Sequence, residues 1–412
     1  MKRFIHMTSK KTRILVLFGG RSPEHDVSVI TGIQVAGALD PALYEAIPLY
    51  IAPNGQWLVG KSLLDRNTYI PGPEQMKALT PVALNVVPSS QPCLKTIPNS
   101  FWQRSEVIEF DVALLSFHGL IGEDGGIQGM MEVANVPYTG MRSLASSIFM
   151  DKLATKNILG KTNIPILPCH VIKRPEQGLM IMPQELEKAL GNISFPCCIK
   201  PAHLGSSIGV ARVKDFQELS SVLPGIFKYD DTAILEPFVE NLVEYNVAVC
   251  RVNGEVRTSA IERPKCSAEL LDFKTKYMSG GGKLGGSKAG GTKVPGQGSE
   301  GMLSLTRDIN PDIPTDMENK IRAWAVEAFE QVNGSGNPRL DFLCNGKTNE
   351  IWFNEANPCP GSFGYFLWET APKPILFTEL LDNLIKEARE LHARAQIPAD
   401  PTPEGARLFR RK

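Results

Sequence analysis

Between Asn337 and Gly361 the chain reads NPRLDFLCNGKTNEIWFNEANPCPG, and the oxygen-bearing residues of this stretch have the spacing for metal and phosphate chemistry. Two apolar runs, one around Leu340, Phe342 and Leu343 and one around Ile351, Trp352 and Phe353, flank the turn residues Asn345 to Asn349. That pattern predicts a β-hairpin. Its arms bring Asp341 alongside Glu355 and Asn357, and two carboxylates with an amide suit Mg2+, whose remaining ligands are waters and substrate phosphates. Arg339 shares the strand parity of Asp341 and projects from the same face. The same residues also suit a solvated hairpin face with ordinary charges. A second candidate is Lys200, which ends the apolar run Cys198-Ile199 and precedes the small, polar loop Gly205-Ser206-Ser207-Ile208-Gly209. Glycine and serine let backbone N–H groups approach phosphate oxygens, and the lysine supplies a point charge, although the spacing is not that of a P-loop. His118 follows the apolar run Asp111–Phe117, a place where either a structural or a functional histidine is at home.

These residues need elements to hold them. Ile14 to Phe18 predicts a buried strand running into Gly19-Gly20-Arg21-Ser22, and Pro23-Glu24 opens a helix to about Leu39 with Val27, Ile30, Val35 and Leu39 as its apolar set. Strand, glycine turn and helix begin an open α/β sheet, whose ligands sit at strand C-terminal ends; the turn lacks GxGxxG and is equally a tight βα turn with nothing bound. A second strand is expected over Tyr44–Ile51, interrupted by Pro48, and the Pro-rich stretch 60–105 has no readable pattern. Leu144 to Leu159 predicts one helix carrying Lys152 and Lys156, and residues 163–235 a smaller α/β unit. Glu236 lies near the end of the strand Ala233–Phe238, with Glu244 following. Residues 279–301 are rich in Gly and Lys without apolar period, as expected of either a disordered insertion or an active-site lid, with Lys276 and Tyr277 just upstream. Thr315 to Val332 predicts an amphipathic helix with Thr315 and Glu318 as a capping box, and Ile375 to Ala395 another.

The chain's 412 residues suit two to four domains or one large multi-lobed enzyme, and its 44 basic and 44 acidic residues cancel, so no global charge draws it to nucleic acid or a membrane. No apolar run approaches the roughly 20 residues of a membrane span. Its eight cysteines show no metal-type spacing and fit reduced thiols in the cytoplasm.

Several motifs occur in a telling order: GGRSPEHDVSVITG, HGLIGEDGGIQG, SIFMDKLATK, IKPAHLGSSIGV, DFKTKY, PRLDF and NEANPCPG. From about Ile14 to Gly361 the chain resembles the D-alanine–D-alanine ligases of the ATP-grasp superfamily. The resemblance implies a fold that is α/β and α+β: a three-domain ATP-grasp architecture with an N-terminal open α/β domain over 1–142, a small central lobe over 143–235 and a large C-terminal lobe over 236–412 with a flexible lid near 276–301. It implies an ATP-dependent carboxylate–amine ligase that forms D-alanyl-D-alanine through an acyl phosphate for peptidoglycan precursors, in the cytoplasm, as a homodimer. ATP and Mg2+ are the implied cofactors, with two ions at Asp341, Glu355 and Asn357 and with Mn2+ able to substitute. By similarity Lys152 and Lys200 contact ATP phosphates, Glu236 and Glu244 hold the adenine and ribose end, and Lys276 reaches the γ-phosphate. Arg339 and the Gly361 N–H face the oxyanion of the tetrahedral intermediate. Glu24 takes the ammonium of the first amino acid and His118 lies beside its carboxylate, while Glu24, Ser206 and Tyr277 match the trio that ties the lid shut.

The chain departs from the family at two points. Where the family places a serine that helps hold the second substrate's carboxylate, this chain has Phe366, and its lid is longer and richer in Gly and Lys. The acceptor amino acid is therefore left open. Two other readings stand beside the first: an ATP-grasp ligase for a different acceptor, and a non-catalytic nucleotide-binding relative, against which the intact Lys200, Arg339, Asp341, Glu355 and Asn357 count.

Overall fold

A computed structural model describes residues 10–69, 76, 78–89, 91–98, 100, 102–205, 207–265, 307–397, 402, 403 and 406. The first sheet is built from β1 (Thr12–Gly19), β2 (Tyr44–Ile51), β3 (Trp57–Val59), β4 (Thr80–Leu84), β5 (Cys93–Thr96), β6 (Val107–Glu109) and β7 (Val112–Leu115), with α1 (His25–Ala38) crossing between β1 and β2. Its order is β6-β5-β4-β3-β2-β1-β7. β1 runs parallel to β2 and β7, so it is covered on both faces and reads as a continuous apolar run. Ile14, Val16 and Phe18 face one core, Leu15 and Leu17 the other. Pro48 is tolerated because β3 pairs only with Leu49 to Ile51, leaving no second neighbour for its missing N–H. The stretch without readable pattern contains β4, β5 and two short 3₁₀ turns.

α1 does not bury the face its hydrophobicity suggests. Val27 and Ile30 remain 44% and 43% exposed, while Ser28, Val29, Thr31, Gly32 and Val35 face inward. Close approach selects this face: a Cβ at Gly32 would lie 2.4 Å from the Phe18 ring. The Ser28 hydroxyl accepts from Gly19 N and donates to Ser116 O, both at 2.8 Å, pinning the helix to the ends of two strands.

Beyond α2 (Gly126–Val133), the single helix expected over Leu144–Leu159 is two, α3 (Ser143–Met150) and α4 (Lys152–Leu159). Asp151 between them is extended and caps α4, its carboxylate accepting from Leu153 N and Ala154 N. The second sheet comprises β8 (His170–Lys173), β9 (Cys197–Pro201), β10 (Ala211–Val213) and β11 (Thr232–Pro237), antiparallel in the order β10-β9-β11-β8, with α5 (Pro183–Leu190) and α6 (Phe216–Ile226) packed on it. The expected boundary between 235 and 236 falls inside β11, and Glu236 is paired there with Cys198.

The third sheet, β14-β13-β12-β15-β16, contains β12 (Leu242–Val252), β13 (Glu255–Pro264), β14 (Arg307–Ile309), β15 (Arg339–Asn345) and β16 (Ile351–Asn357). α7 (Thr315–Gln331) buries Met317, Ile321, Ala325, Ala328 and Phe329 against it. The capping box does not form: Pro314 is the cap, Thr315 is already helical, and the Glu318 carboxylate accepts from Arg322. After α8 (Tyr365–Glu369), α9 (Phe377–Arg394) returns to the first sheet and closes its core with Leu380, Leu381, Leu384, Ile385 and Ala388. Among the described residues no helix is long and apolar enough to cross a membrane, and the cysteines are free thiols.

Candidate active site

The expected hairpin is β15 and β16, and its register sets Asp341 opposite Glu355 and Arg339 opposite Asn357. Asp341 also pairs with Asn246 on β12, which pairs with Glu262 on β13. Glu355, Asp341, Asn246 and Glu262 thus form one polar row across four strands. Arg339 clasps Asp341 with two bonds of 2.7 Å, and Asn357 Nδ2 donates to the same carboxylate at 2.9 Å. Burial, against the pull of Arg339, pushes Asp341 up to about 6. At the far end Glu262 accepts from Asn246 and from Arg307. Glu244 stands two residues from Asn246 on β12, and burial, then Asp341 and Glu355, hold its carboxyl above the usual range.

One irregularity in the hairpin matters. Phe342 pairs with Phe353 while Asp341 pairs with Glu355, so Asn354 is the extra residue of a β-bulge. Its side chain accepts from Lys200 Nζ at 2.8 Å. Asn354 is not legible as a site residue in the sequence, since nothing in the alternation signals a bulge.

The lysines come from the other side. Lys200, on β9, lies 2.8 Å from Glu236 Oε2, and Lys156 of α4 lies 2.7 Å from Glu236 Oε1. Lys152 donates to Leu204 O at 2.7 Å and lies 3.1 Å from Glu355. Glu236 is 1% exposed. Burial works against its ionisation, but Lys200 and Lys156 outweigh that and keep it below its ordinary value. Glu355 is held low in the same way, burial being outweighed by Lys152 and Lys200. The second sheet therefore meets the hairpin through Lys200 and Asn354, and α4 meets it through Lys152 and Glu355; these cations can turn onto phosphate oxygens. The cap of α4 is itself fastened: His203 is 2.9 Å from Asp230 and 3.5 Å from Asp151. Those hydrogen bonds push His203 up to about 10. Asp231 also converges there, but both ring nitrogens of His203 are taken by carboxylates, which argues against a metal at this cluster.

The first sheet contributes a third side. Glu24 ends α1's approach, and its carboxylate lies against two glycines: a Cβ at Gly119 would be 2.5 Å from Glu24 Oε2, and one at Gly205 3.1 Å. Gly119, at φ 73°, is needed for both turn and contact. His118 is 4% exposed, with Nε2 2.8 Å from Thr31 Oγ1 and Nδ1 2.9 Å from Cys359 O. Burial lowers it to about 4, leaving the imidazole neutral. A direct contact from this ring to a substrate carboxylate would require one of these bonds to break. Glu123, which sequence reasoning did not single out, accepts from Gly119 N at 2.6 Å and Cys359 N at 2.7 Å. Burial, then the neighbouring Glu24, pushes it up to about 8.

Gly361 begins a turn in open space, since a Cβ there would meet nothing within 4 Å. Ser362, Phe363 and Gly364 follow with φ of 49°, 57° and 54°, a left-handed turn. Phe366, on α8, is half-buried and carries the Arg307 guanidinium 4.7 Å from its ring centroid. Ser206, Lys276, Tyr277 and the stretch 279–301 lie outside the described residues. The residues brought together are thus Glu24 and His118 at the first sheet, Lys152, Lys200 and Glu236 at the second, and Glu244, Arg339, Asp341, Glu355 and Asn357 on the third. A surface cavity of about 620 Å3 between β13 and α7 contains none of them.

The chain matches two protein-family descriptions, "D-ala D-ala ligase N-terminus" over residues 13–141 and "D-ala D-ala ligase C-terminus" over residues 158–287 and 302–386. It is 34% identical over 375 residues to the D-alanine–D-alanine ligase of Thermosipho africanus, covering 91% of this chain and 92% of that protein. It is 32% identical over 382 residues to the D-alanine–D-alanine ligase of Enterococcus faecalis, covering 91% and 98%. Among solved structures, the D-alanine–D-alanine ligase from Coxiella burnetii superposes with a TM-score of 0.71 at 24% identity, covering 94% of this chain and 96% of that one. The VanG D-Ala:D-Ser ligase from Enterococcus faecalis gives 0.69 at 23% identity, covering 92% and 100%. Both are likenesses of fold.

Proposed function

The chain belongs to the D-alanine–D-alanine ligase family, and from that premise we propose that it joins two D-alanine molecules at the expense of ATP, for peptidoglycan precursors. One observation carries the reading: Lys152, Lys156 and Lys200 meet Glu236 and Glu355 where the second and third sheets converge. A carboxylate is a poor electrophile, so an oxygen of the first D-alanine must attack the γ-phosphorus and release ADP. The acceptor's amine then attacks the acyl carbon, and phosphate departs with that oxygen. Catalysis is mostly positioning and charge neutralisation.

Lys152 and Lys200 exchange their carboxylate partners for ATP phosphates, Glu236 and Glu244 hold the adenine and ribose end, and Lys276 reaches the γ-phosphate. Glu24 takes the donor's ammonium and completes a trio with Ser206 and Tyr277. Arg339 and the Gly361 N–H face the oxyanion, where a donor acts most strongly in the transition state. His118 stays at the donor end, close to Glu24 through Gly119. The donor set fits Mg2+: Asp341 and Glu355 are hard oxygen ligands at opposed register positions, and Asn357, whose Nδ2 is engaged by Asp341, keeps its oxygen for a cation. These three would hold two Mg2+ or Mn2+ ions, which when bound neutralise the phosphate charge. Cytoplasmic location and a homodimer complete the proposal.

Phe366 favours a second reading, the same chemistry with another acceptor, because its side chain cannot donate to the acceptor's carboxylate. The test is ADP release and product mass across a panel of D- and L-amino acids. D-alanine alone should sustain turnover and give D-alanyl-D-alanine. ADP release only with some other amino acid would replace that acceptor, and none with any amino acid would overturn the ligase reading.

A further inference from the structure

Three groups, one from α1 and two from the loop between β7 and α2, hold the loop that leaves the hairpin. Glu123 Oε1 accepts from Cys359 N, His118 Nδ1 is 2.9 Å from Cys359 O, and Thr31 Oγ1 is 3.1 Å from Ser362 N. The directions of these bonds can be assigned. A carbonyl only accepts, so His118 carries its proton on Nδ1. Its Nε2 is then an acceptor and takes the Thr31 hydroxyl proton at 2.8 Å. The Thr31 oxygen in turn accepts from Ser362 N–H. The result is one relay, Ser362 N–H to Thr31 to His118 to Cys359 O, closing a ring across Pro360 and Gly361.

A costly conformation follows directly on that ring. Ser362 and Phe363 sit in the left-handed region, which L-residues adopt only where their surroundings impose it. Gly361 lies between Cys359 and Ser362, the two residues the relay holds, yet stands in open space itself. The geometry points to Thr31 as a positioning residue: through His118 it fixes the loop that aims the Gly361 N–H, so that the N-terminal unit sets the chemical step as well as the binding of the first amino acid. Glu123 is the second anchor of the same loop, its two oxygens taking backbone donors from both sides. This rests on the reading of Gly361 as an oxyanion donor. A donor held off its position forfeits stabilisation in the transition state and little in the ground state, so the loss falls on kcat.

The test uses the full chain with ATP, Mg2+ and D-alanine. Thr31→Val keeps the shape and removes the hydroxyl; kcat should fall about ten- to a hundredfold, with KM for ATP nearly unchanged. Thr31→Ser restores the hydroxyl and should recover most of kcat. In the wild-type protein, 15N-detected NMR of His118 should show the Nδ1–H tautomer, a readout that stands even if Thr31→Val does not fold. Wild-type kcat in Thr31→Val, a loss carried by KM for ATP, no recovery in Thr31→Ser, or an Nε2–H tautomer would each overturn the relay. Failure of the ligase reading is a separate result: a wild-type protein that forms no dipeptide at all, with the tautomer still to be read.

Discussion

Glu236 and Glu355 are both glutamates facing lysines, yet their surroundings differ. Glu236 is buried between Lys156 and Lys200, so Glu236→Gln leaves two interior ammonium groups short of a counter-charge. That substitution should cost about 3 kcal/mol of stability, seen as a lower melting temperature, before any effect on turnover is read. Glu355 is a quarter exposed at its side chain and faces one lysine at 3.1 Å. Glu355→Gln should melt close to the wild type and lose most of its Mg2+-dependent turnover. Equal melting losses in the two variants would contradict the distinction. Glu355, Asp341 and Asn357 were legible in the sequence because a hairpin with a clear turn fixes which side chains are neighbours. Thr31, Glu123 and Asn354 were not, because what makes them matter is a partner over a hundred residues away or a bulge that the alternation conceals.

Between elements, small local devices decide the geometry. Apolar periodicity runs through Leu144–Leu159 without a gap, so one helix was expected; Asp151 breaks it by offering its carboxylate to the next turn's N–H groups. The sequence points α1's most hydrophobic face inward, but Gly32 and Ser28 let the helix touch the strands more closely through the smaller residues. The break at Asp151 starts α4, and with it Lys152 and Lys156, at a place that His203 ties to the second sheet. A histidine raised from 6.5 to about 10 stabilises the fold fully below pH 6.5 and loses that contribution as the pH rises through 10. The ring is more than a third exposed, so the contribution is discounted to about 1 kcal/mol. Denaturant unfolding of His203→Gln against the wild type should show a constant gap below pH 6.5 that narrows toward pH 10. A gap that widens with rising pH would mean the histidine is not the charged partner.

At the scale of the molecule, three sheets bring charged and polar side chains toward one another, and the motifs that carry them are spread along the chain in the order in which it resembles the family. What the motifs left open is the acceptor. On the proposed function Phe366 stands where a hydroxyl would help hold the acceptor's carboxylate, and the Arg307 guanidinium lies over its ring. Phe366→Ser should lower KM for the acceptor by roughly tenfold, about what a hydrogen bond to a charged group is worth, while KM for the donor holds. An unchanged acceptor KM would mean that another group anchors it. D-alanine labelled with 18O in its carboxyl group tests whether ATP activates a carboxylate. Attack of that carboxylate on the γ-phosphorus carries a labelled oxygen into the released phosphate, so each dipeptide formed should be matched by one phosphate bearing one 18O. Dipeptide formed with unlabelled phosphate would rule out an acyl phosphate.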